Sequence, residues 1–268
     1  MEVLRTTGVT SSYTCPYKAK NEPYNANPKN TYHGDMLNIG ATSSNWDFKE
    51  LLKYYANNIN PDFKFNQVLE QLMEKVKMFI KLKRSDAEEK NIQLYQETKL
   101  YYRYNQDVWI EWQPDIFEIL PEPDENGLIA RCYDLKCSTH SRYSWDEMRD
   151  KNMQTYIYPL MIMKVWGLNK CSFTYIVWDK KNGKLKRETK IRTLQECEEM
   201  ARIAIEDYLQ NNLLEDYPAR ENKLCAFCSF GKMWDKSCPL LKAKTPKIVQ
   251  TSSLEEVSAA QMEADLFS

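Results

Sequence analysis

Glycine and histidine are scarce in this chain, with 7 Gly and 2 His among 268 residues. So little glycine leaves no glycine-rich loop to bring backbone close to phosphates. Neither a Walker-type pattern nor a dinucleotide-binding pattern occurs. No apolar run approaches the roughly 20 residues that span a bilayer, and MEVLRTTGVTSS at the N-terminus lacks the apolar core of a secretory signal. The expectation is therefore a cytoplasmic protein, or a viral one acting in host cytoplasm, with no membrane partner. An excess of one charge is also missing, since 37 Lys+Arg stand against 38 Asp+Glu for a formal net charge of −1. That excludes a global basic field, but it allows acids concentrated where a cation offsets them. Eight Cys are present, and in a reducing compartment they are not read as a disulfide framework.

The first half of the chain reads as helical. Thr10–Lys20 predicts a short helix with Cys15-Pro16 inside it, and residues 21–40, rich in Asn, Pro and Tyr, predict loop. Trp46–Tyr55 has helical spacing. Asn60-Pro61-Asp62 opens a stronger helix with Phe65, Val68, Leu69, Leu72, Val76, Phe79 and Ile80 on one face, fading into the charged stretch from Lys81 to Lys90.

From Thr98 the period changes to that of strands. Tyr, Trp, Ile and Val dominate, Asn105-Gln106-Asp107 marks a turn, and WIEWQPDIFEIL reads as one strand before the turn PEPDENG. LIARCYDLKCS is the next strand. A helix is expected over about Trp145–Trp166, kinked or broken at Pro159. CSFTYIVW then pairs with Lys184–Ile191 through a hairpin at Asn182-Gly183. Thr193 with Glu196 forms a capping box for a helix whose apolar face is Leu194, Cys197, Ala201, Ala204, Ile205, Tyr208 and Leu209. These elements predict an α/β (α+β) core preceded by a helical section, with no internal repeat.

Asp115 and Asp134 lie on neighbouring predicted strands, and Lys136 projects from the same face as Asp134 because the side-chain period of a strand is two. Two carboxylates suit a hard divalent cation such as Mg²⁺. Such an ion can activate water and offset charge on a phosphodiester, while a lysine orients the water or stabilises the charge that develops on phosphate. Alone, Asp-x-Lys is equally a cross-strand salt pair. The stretch Lys180–Arg192 holds seven cations and one acid. It is either a solvated hairpin or a surface for phosphate contacts. Lys75–Arg84 is also basic.

Pro114-Asp115, an 18-residue gap, Asp134-Leu135-Lys136 and then Gln154-Thr155-Tyr156-Ile157-Tyr158 together resemble the PD-(D/E)xK nuclease superfamily in its RecB-like exonuclease branch. That resemblance implies a restriction-endonuclease-like core with a mixed central sheet flanked by helices. It implies Asp115 and Asp134 as ligands of Mg²⁺ or Mn²⁺, Lys136 as the residue handling water, and Gln154 and Tyr158 beside the metal site. The implied activity is metal-dependent hydrolysis of DNA, by family analogy from single-stranded ends, in replication, recombination or repair. RecB-like nucleases usually carry a Gly-x-x-x-His element whose His joins the metal shell. Here Gly40 is followed by Ala-Thr-Ser-Ser-Asn, and His33-Gly34 lies nearby in the wrong order.

Cys225-Ala-Phe-Cys228, followed after nine residues by Cys238, looks like a metal knuckle short of one ligand. With Cys15 as the fourth thiolate it resembles the iron–sulfur branch of these nucleases, which includes CRISPR-adaptation nucleases, and implies a [4Fe–4S] cluster, with zinc as the alternative. Cys132, Cys137, Cys171 and Cys197 read as small buried hydrophobes. The last stretch, Gln261-Met-Glu-Ala-Asp-Leu-Phe267, resembles peptides that dock on sliding clamps. The expected organisation is one nuclease domain over residues 1–240 and a tail over 241–268. Within the domain lie a helical section (about 1–97), a catalytic core (about 98–214) and a cysteine segment (215–240). Two rival readings are a non-catalytic nucleic-acid-binding scaffold on the same fold and a site-specific endonuclease.

Overall fold

Pro114 divides what the sequence offers as one long strand. In the computed structural model, Val108–Trp112 and Ile116–Ile119 belong to two different sheets. Proline donates no hydrogen bond to a ladder and is confined in sheets to edges, strand starts and bulges. The chain therefore turns at Gln113-Pro114-Asp115 and delivers Asp115 to the junction. The structure describes residues 2–21, 67–138, 152–179, 184–214 and 217–221, with isolated positions 53, 57, 225, 228, 230 and 238–240. The expectations for the Trp46–Tyr55 helix, the helix opening at Asn60-Pro61-Asp62, His33, Gly40, the hairpin tip at 182–183 and the tail at 261–267 lie outside the described residues.

The chain divides into two units, Met1–Asn222 and Lys223–Ser268. In the first unit β1 (Glu2–Arg5) leads into α1 (Thr6–Thr14) and α2 (Pro16–Asn21). The single helix expected there is broken at Cys15, which is extended at φ −163° and ψ 103°. A residue before proline is disfavoured in the α region, whereas Pro16 itself fits a first helical position. Helix α3 (Gln67–Lys90) does not fade at Lys81. Strands β2 (Gln93–Gln96), β3 (Leu100–Arg103), β4 (Val108–Trp112), β5 (Ile116–Ile119) and β6 (Ala130–Ser138) follow. Then come α4 (Gln154–Trp166), β7 (Lys170–Asp179), β8 (Leu185–Thr193) and α5 (Leu194–Asn212). Among the described residues, no helix is long and apolar enough to cross a membrane.

The small sheet has the order β1-β4-β3, with β1 parallel and β3 antiparallel to β4. The larger sheet runs β2-β5-β6-β7-β8, and only β6 and β7 are parallel. Parallel neighbours need a crossover, and α4 lies within the one between β6 and β7. This is a mixed α/β arrangement with central mixed sheets flanked by helices, of the restriction-endonuclease type. The hairpin of β7 and β8 has the expected partners, closed by the Asp179 N–H donating to the Lys184 carbonyl at 2.8 Å. The Thr193 hydroxyl caps α5 by accepting from the Glu196 N–H at 3.3 Å, and the buried face of α5 includes Cys197, Ala201, Ala204 and Ile205.

Every residue of β7 after the first is buried, because the strand is covered on both faces, whereas β8 exposes alternate residues. On one face an aromatic group fills the core: Tyr95 stacks on Phe117 at 4.5 Å, and Trp166 meets both edge-on. Trp112 packs against Phe117 and Tyr158. Helix α4 enters this layer buried along Thr155–Met163, which explains why its sequence is apolar all round. The helix continues across Pro159 rather than breaking there. It ends at Gly167, whose φ of +67° is the left-handed conformation that glycine adopts without a Cβ penalty.

On the opposite face α3 lays Phe79 against Tyr133 and Trp178. Glu118, 1% exposed, is bound by Lys83 at 2.9 Å and by the Tyr133 hydroxyl at 2.8 Å. Lys83 also donates to that hydroxyl at 2.8 Å. Two cations of the basic stretch Lys75–Arg84 thus turn toward the sheet, since Arg84 donates to Gln96. A buried carboxylate with both oxygens held by donors is tolerated where an unpaired one would cost several kcal/mol, roughly 3–5.

Candidate nuclease active site

Beyond the pair Ile116↔Tyr133 the β5–β6 ladder ends. There the Asp115 side chain takes the place of a backbone acceptor, its Oδ2 accepting from the Leu135 N–H at 2.6 Å. This bond fixes Asp115 beside Asp134, which is 2% exposed on β6. Lys136, two residues along the same face, donates from Nζ to Asp134 Oδ1 at 3.1 Å. Its Nζ also lies 2.9 Å from Oδ2, at an angle that gives no hydrogen bond, so Oδ2 is buried without a donor.

Two carboxylates and one ammonium leave a net negative charge in a water-poor place. Burial, and then the charge of Asp134, push the Asp115 carboxyl up to about 7, against the opposing pull of Lys136 and the Leu135 N–H. Burial likewise raises Asp134, with Lys136 pulling the other way. Burial works against the Lys136 ammonium, yet Asp134 and Asp115 together outweigh it and hold the ammonium above the usual lysine range. A divalent cation would relieve the repulsion between the acids and occupy the orphaned Oδ2, so the hard oxygen donors present fit such an ion. Among the described residues, no group of three or more His, Cys, Asp or Glu is placed to hold a metal.

Gln154 and Tyr158 stand one turn apart on α4, and Gln154 Nε2 donates to Tyr158 Oη at 3.1 Å. Burial, then the charges of Asp134 and Asp115, raise the Tyr158 phenol, which places its hydroxyl within the field of the two acids. The structure thus brings Asp115, Asp134, Lys136, Gln154 and Tyr158 to one locus.

Three neighbours escaped the sequence reading. Glu97, after β2, has a left-handed backbone (φ 45°), and its N–H donates to the Asp115 carbonyl at 3.1 Å. Its Oε2 accepts from Gln113 at 2.9 Å, its Oε1 is buried without a partner, and its charge helps to lift Asp115. No spacing signals this contact. Asn152 precedes α4 and bonds to Gln154, and Tyr175 on β7 bonds to Asn152. An Asn just ahead of a helix is a recognisable cap, but a helix drawn from Trp145 hid it. The structure has Asn152 and Met153 ahead of the helix, which starts at Gln154.

A family model described as the PD-(D/E)XK nuclease superfamily matches residues 46–233, well over half of the chain. The chain belongs to the PD-(D/E)XK nuclease superfamily. Among solved structures it is similar to a candidate exonuclease from Eubacterium rectale, at 13% identity and a TM-score of 0.51 over 91% of this chain and 94% of that one. A phage-related exonuclease from Haemophilus somnus aligns at 16% identity and a TM-score of 0.32, over 78% of this chain and 94% of that one. No curated protein matches the chain. Membership in this nuclease superfamily makes the chain a phosphodiesterase by class, with nucleic acid as the class of substrate.

Part of the basic stretch Lys180–Arg192 is engaged within the fold. Arg192 is fully buried, its guanidinium 3.8 Å over the Tyr156 ring, paired with Glu196 and donating to Thr155. Arg187 lies over Phe79, and Lys186 pairs with Glu188. Among the cysteines, Cys132, Cys171 and Cys197 are fully buried as expected; the Cys137 side chain lies outside the described residues. In the first unit Cys15 is 8% exposed, and its sulfur accepts from the Arg220 N–H at 3.5 Å. In the second unit the Cys228 N–H donates to the Cys225 carbonyl at 3.3 Å and the Cys238 N–H to the Phe230 carbonyl at 3.1 Å. None of these four cysteines is in a disulfide.

Proposed function

We propose that this chain is a Mg²⁺- or Mn²⁺-dependent deoxyribonuclease of the RecB-like kind that shortens DNA from single-stranded ends in replication, recombination or repair. The observation that carries the reading is the convergence of Asp115, Asp134 and Lys136 at the open end of the β5–β6 pair, faced by Gln154 and Tyr158. Asp115 and Asp134 would hold the divalent ion, which when bound supplies charge neutralisation at phosphate and an easily deprotonated water. Lys136 keeps its proton between the two acids and is suited to orient the attacking water or to donate to a phosphate oxygen. Gln154 and Tyr158 would support the substrate side of the site.

A [4Fe–4S] cluster on Cys15, Cys225, Cys228 and Cys238, with zinc as the alternative, is proposed on the four-cysteine pattern of the sequence. Anaerobically purified protein is then brown, and a colourless preparation with stoichiometric zinc decides for zinc. Residues 261–267 are proposed to dock on a sliding clamp, and binding that survives removal of residues 261–268 refutes that docking. The nuclease reading is tested on end-labelled single strands with Mg²⁺ or Mn²⁺. Progressive shortening supports it, defined internal cuts indicate an endonuclease, and binding without turnover indicates a scaffold.

A further inference from the structure

The amide and hydroxyl groups at the start of α4 form a chain whose direction is set by one fixed donor. The backbone N–H of Gln154 can only donate, and it donates to Asn152 Oδ1 at 3.0 Å. This assigns the Asn152 side chain, because an NH₂ group in that position would face another donor. Asn152 Nδ2 therefore points the other way and donates to Gln154 Oε1 at 3.2 Å. With Oε1 occupied as an acceptor, Gln154 turns Nε2 to Tyr158 and donates to its hydroxyl at 3.1 Å. Tyr175, fully buried on β7, hydrogen-bonds to the same Asn152 side chain and anchors it from the sheet. The Tyr158 hydroxyl already accepts from Gln154, so its own hydrogen is free to point elsewhere. The ring is 6% exposed and wedged against Trp112 and Phe173, with centroids 5.5 Å and 6.3 Å away. These contacts leave the hydroxyl little freedom to swing aside.

We infer that Asn152 is a positioning residue that fixes the polarity of the Gln154–Tyr158 pair, making Tyr158 a hydrogen-bond donor into the site, and that its acceptor is a phosphate oxygen of the substrate strand. The inference rests on the nuclease reading and adds a direction to it. The Gln154–Tyr158 pair alone is compatible with either polarity, since a reversed amide would accept from Tyr158 and leave no hydrogen for the strand. Asn152 excludes the reversed state by holding Oε1.

The decisive substitution is Asn152→Asp. Aspartate caps a helix as well as asparagine does, so one carboxylate oxygen keeps the Gln154 N–H bond and the helix start is retained. The other oxygen can only accept. Gln154 must then rotate its NH₂ toward residue 152 and its carbonyl toward Tyr158, and the phenol hydrogen is drawn back to Gln154. Asn152→Asp is expected to lower kcat/KM on single-stranded DNA by about tenfold to a hundredfold, the worth of one hydrogen bond to a charged oxygen. Tyr158→Phe should fall by a similar factor.

The readout that separates this role from added negative charge or altered folding is the double variant. If Asn152→Asp acts through the Tyr158 hydrogen, adding it to Tyr158→Phe produces no further loss in cleavage or in oligonucleotide binding measured in EDTA by anisotropy. Additive losses overturn the inference, as does wild-type behaviour of Asn152→Asp, while both leave the nuclease reading standing. A wild type that neither binds nor cuts single strands overturns the nuclease reading and the inference with it.

Discussion

Replacing Asp115 by asparagine should stabilise the metal-free protein at alkaline pH. The Asp115 carboxyl is pushed from its ordinary 3.8 up to about 7 by burial and by Asp134. Its folded form therefore holds a proton more tightly than its unfolded form. A group of that kind adds no instability below about pH 4, and its ionisation weakens the fold progressively as the pH rises to 7. Above 7 the whole effect is present. At roughly 1.4 kcal/mol per pH unit, the interval from 5 to 7 is worth up to about 3 kcal/mol. The side-chain amide of the Asp115→Asn variant is neutral throughout, and its carbonyl can still accept from the Leu135 N–H that Asp115 Oδ2 now meets at 2.6 Å.

Thermal unfolding in EDTA is the assay. At pH 8 Asp115→Asn should exceed the wild type in Tm by several degrees, at about 2–4 °C per kcal/mol for a chain of this size. At pH 5 the gap should shrink. Adding Mg²⁺ or Mn²⁺ at pH 8 should raise the wild type through binding linkage, by about 2.7 kcal/mol at a hundredfold excess over Kd, and leave the variant unmoved. A variant no more stable than wild type in EDTA at pH 8, or a gap equal at both pH values, refutes the electrostatic reasoning.

Lys136→Ala strands the buried Asp134 carboxylate and should lower metal-free stability; in the folded, metal-bound variant it should reduce cleavage by about a hundredfold to a thousandfold, the usual loss when one preorganised donor to developing charge is removed, read from single-turnover rates. Lys83→Ala strands the Glu118 carboxylate, which is 1% exposed, and should cost about 3–5 kcal/mol in denaturant unfolding. Lys83→Ala combined with Glu118→Gln should recover part of that loss. Gly167→Ala places a Cβ on a residue at φ +67° and should cost about 1–2 kcal/mol, read as a shift in the unfolding midpoint.

The placement of the candidate site's side chains was legible in the sequence where it follows local rules. Asp134 and Lys136 share a face through the strand period, and Gln154 and Tyr158 meet through the helical period. The Thr193 cap and the β7–β8 pairing also followed from neighbouring residues. What escaped depends on chain paths that no short window encodes. Pro114 could be read as a blemish in one strand, but in the fold it separates two sheets. The four-residue strands β1 and β2 are too short to show a pattern. Glu97 reaches Asp115 through a left-handed turn. Arg192 looked like one of seven surface cations, yet it is buried because Tyr156, Thr155 and Glu196 converge on it. Residue type alone does not reveal such company.

The central claim is that Asp115, Asp134 and Lys136 form the hydrolytic centre. It is tested most directly by following an end-labelled single strand with wild type, Asp134→Asn and Lys136→Ala in Mg²⁺, Mn²⁺ and EDTA. The expected result is shortening by the wild type with either metal, none in EDTA, and loss in both variants while each remains folded, with a raised metal-free Tm for Asp134→Asn and a lowered one for Lys136→Ala. Cleavage by either variant at the wild-type rate would contradict it.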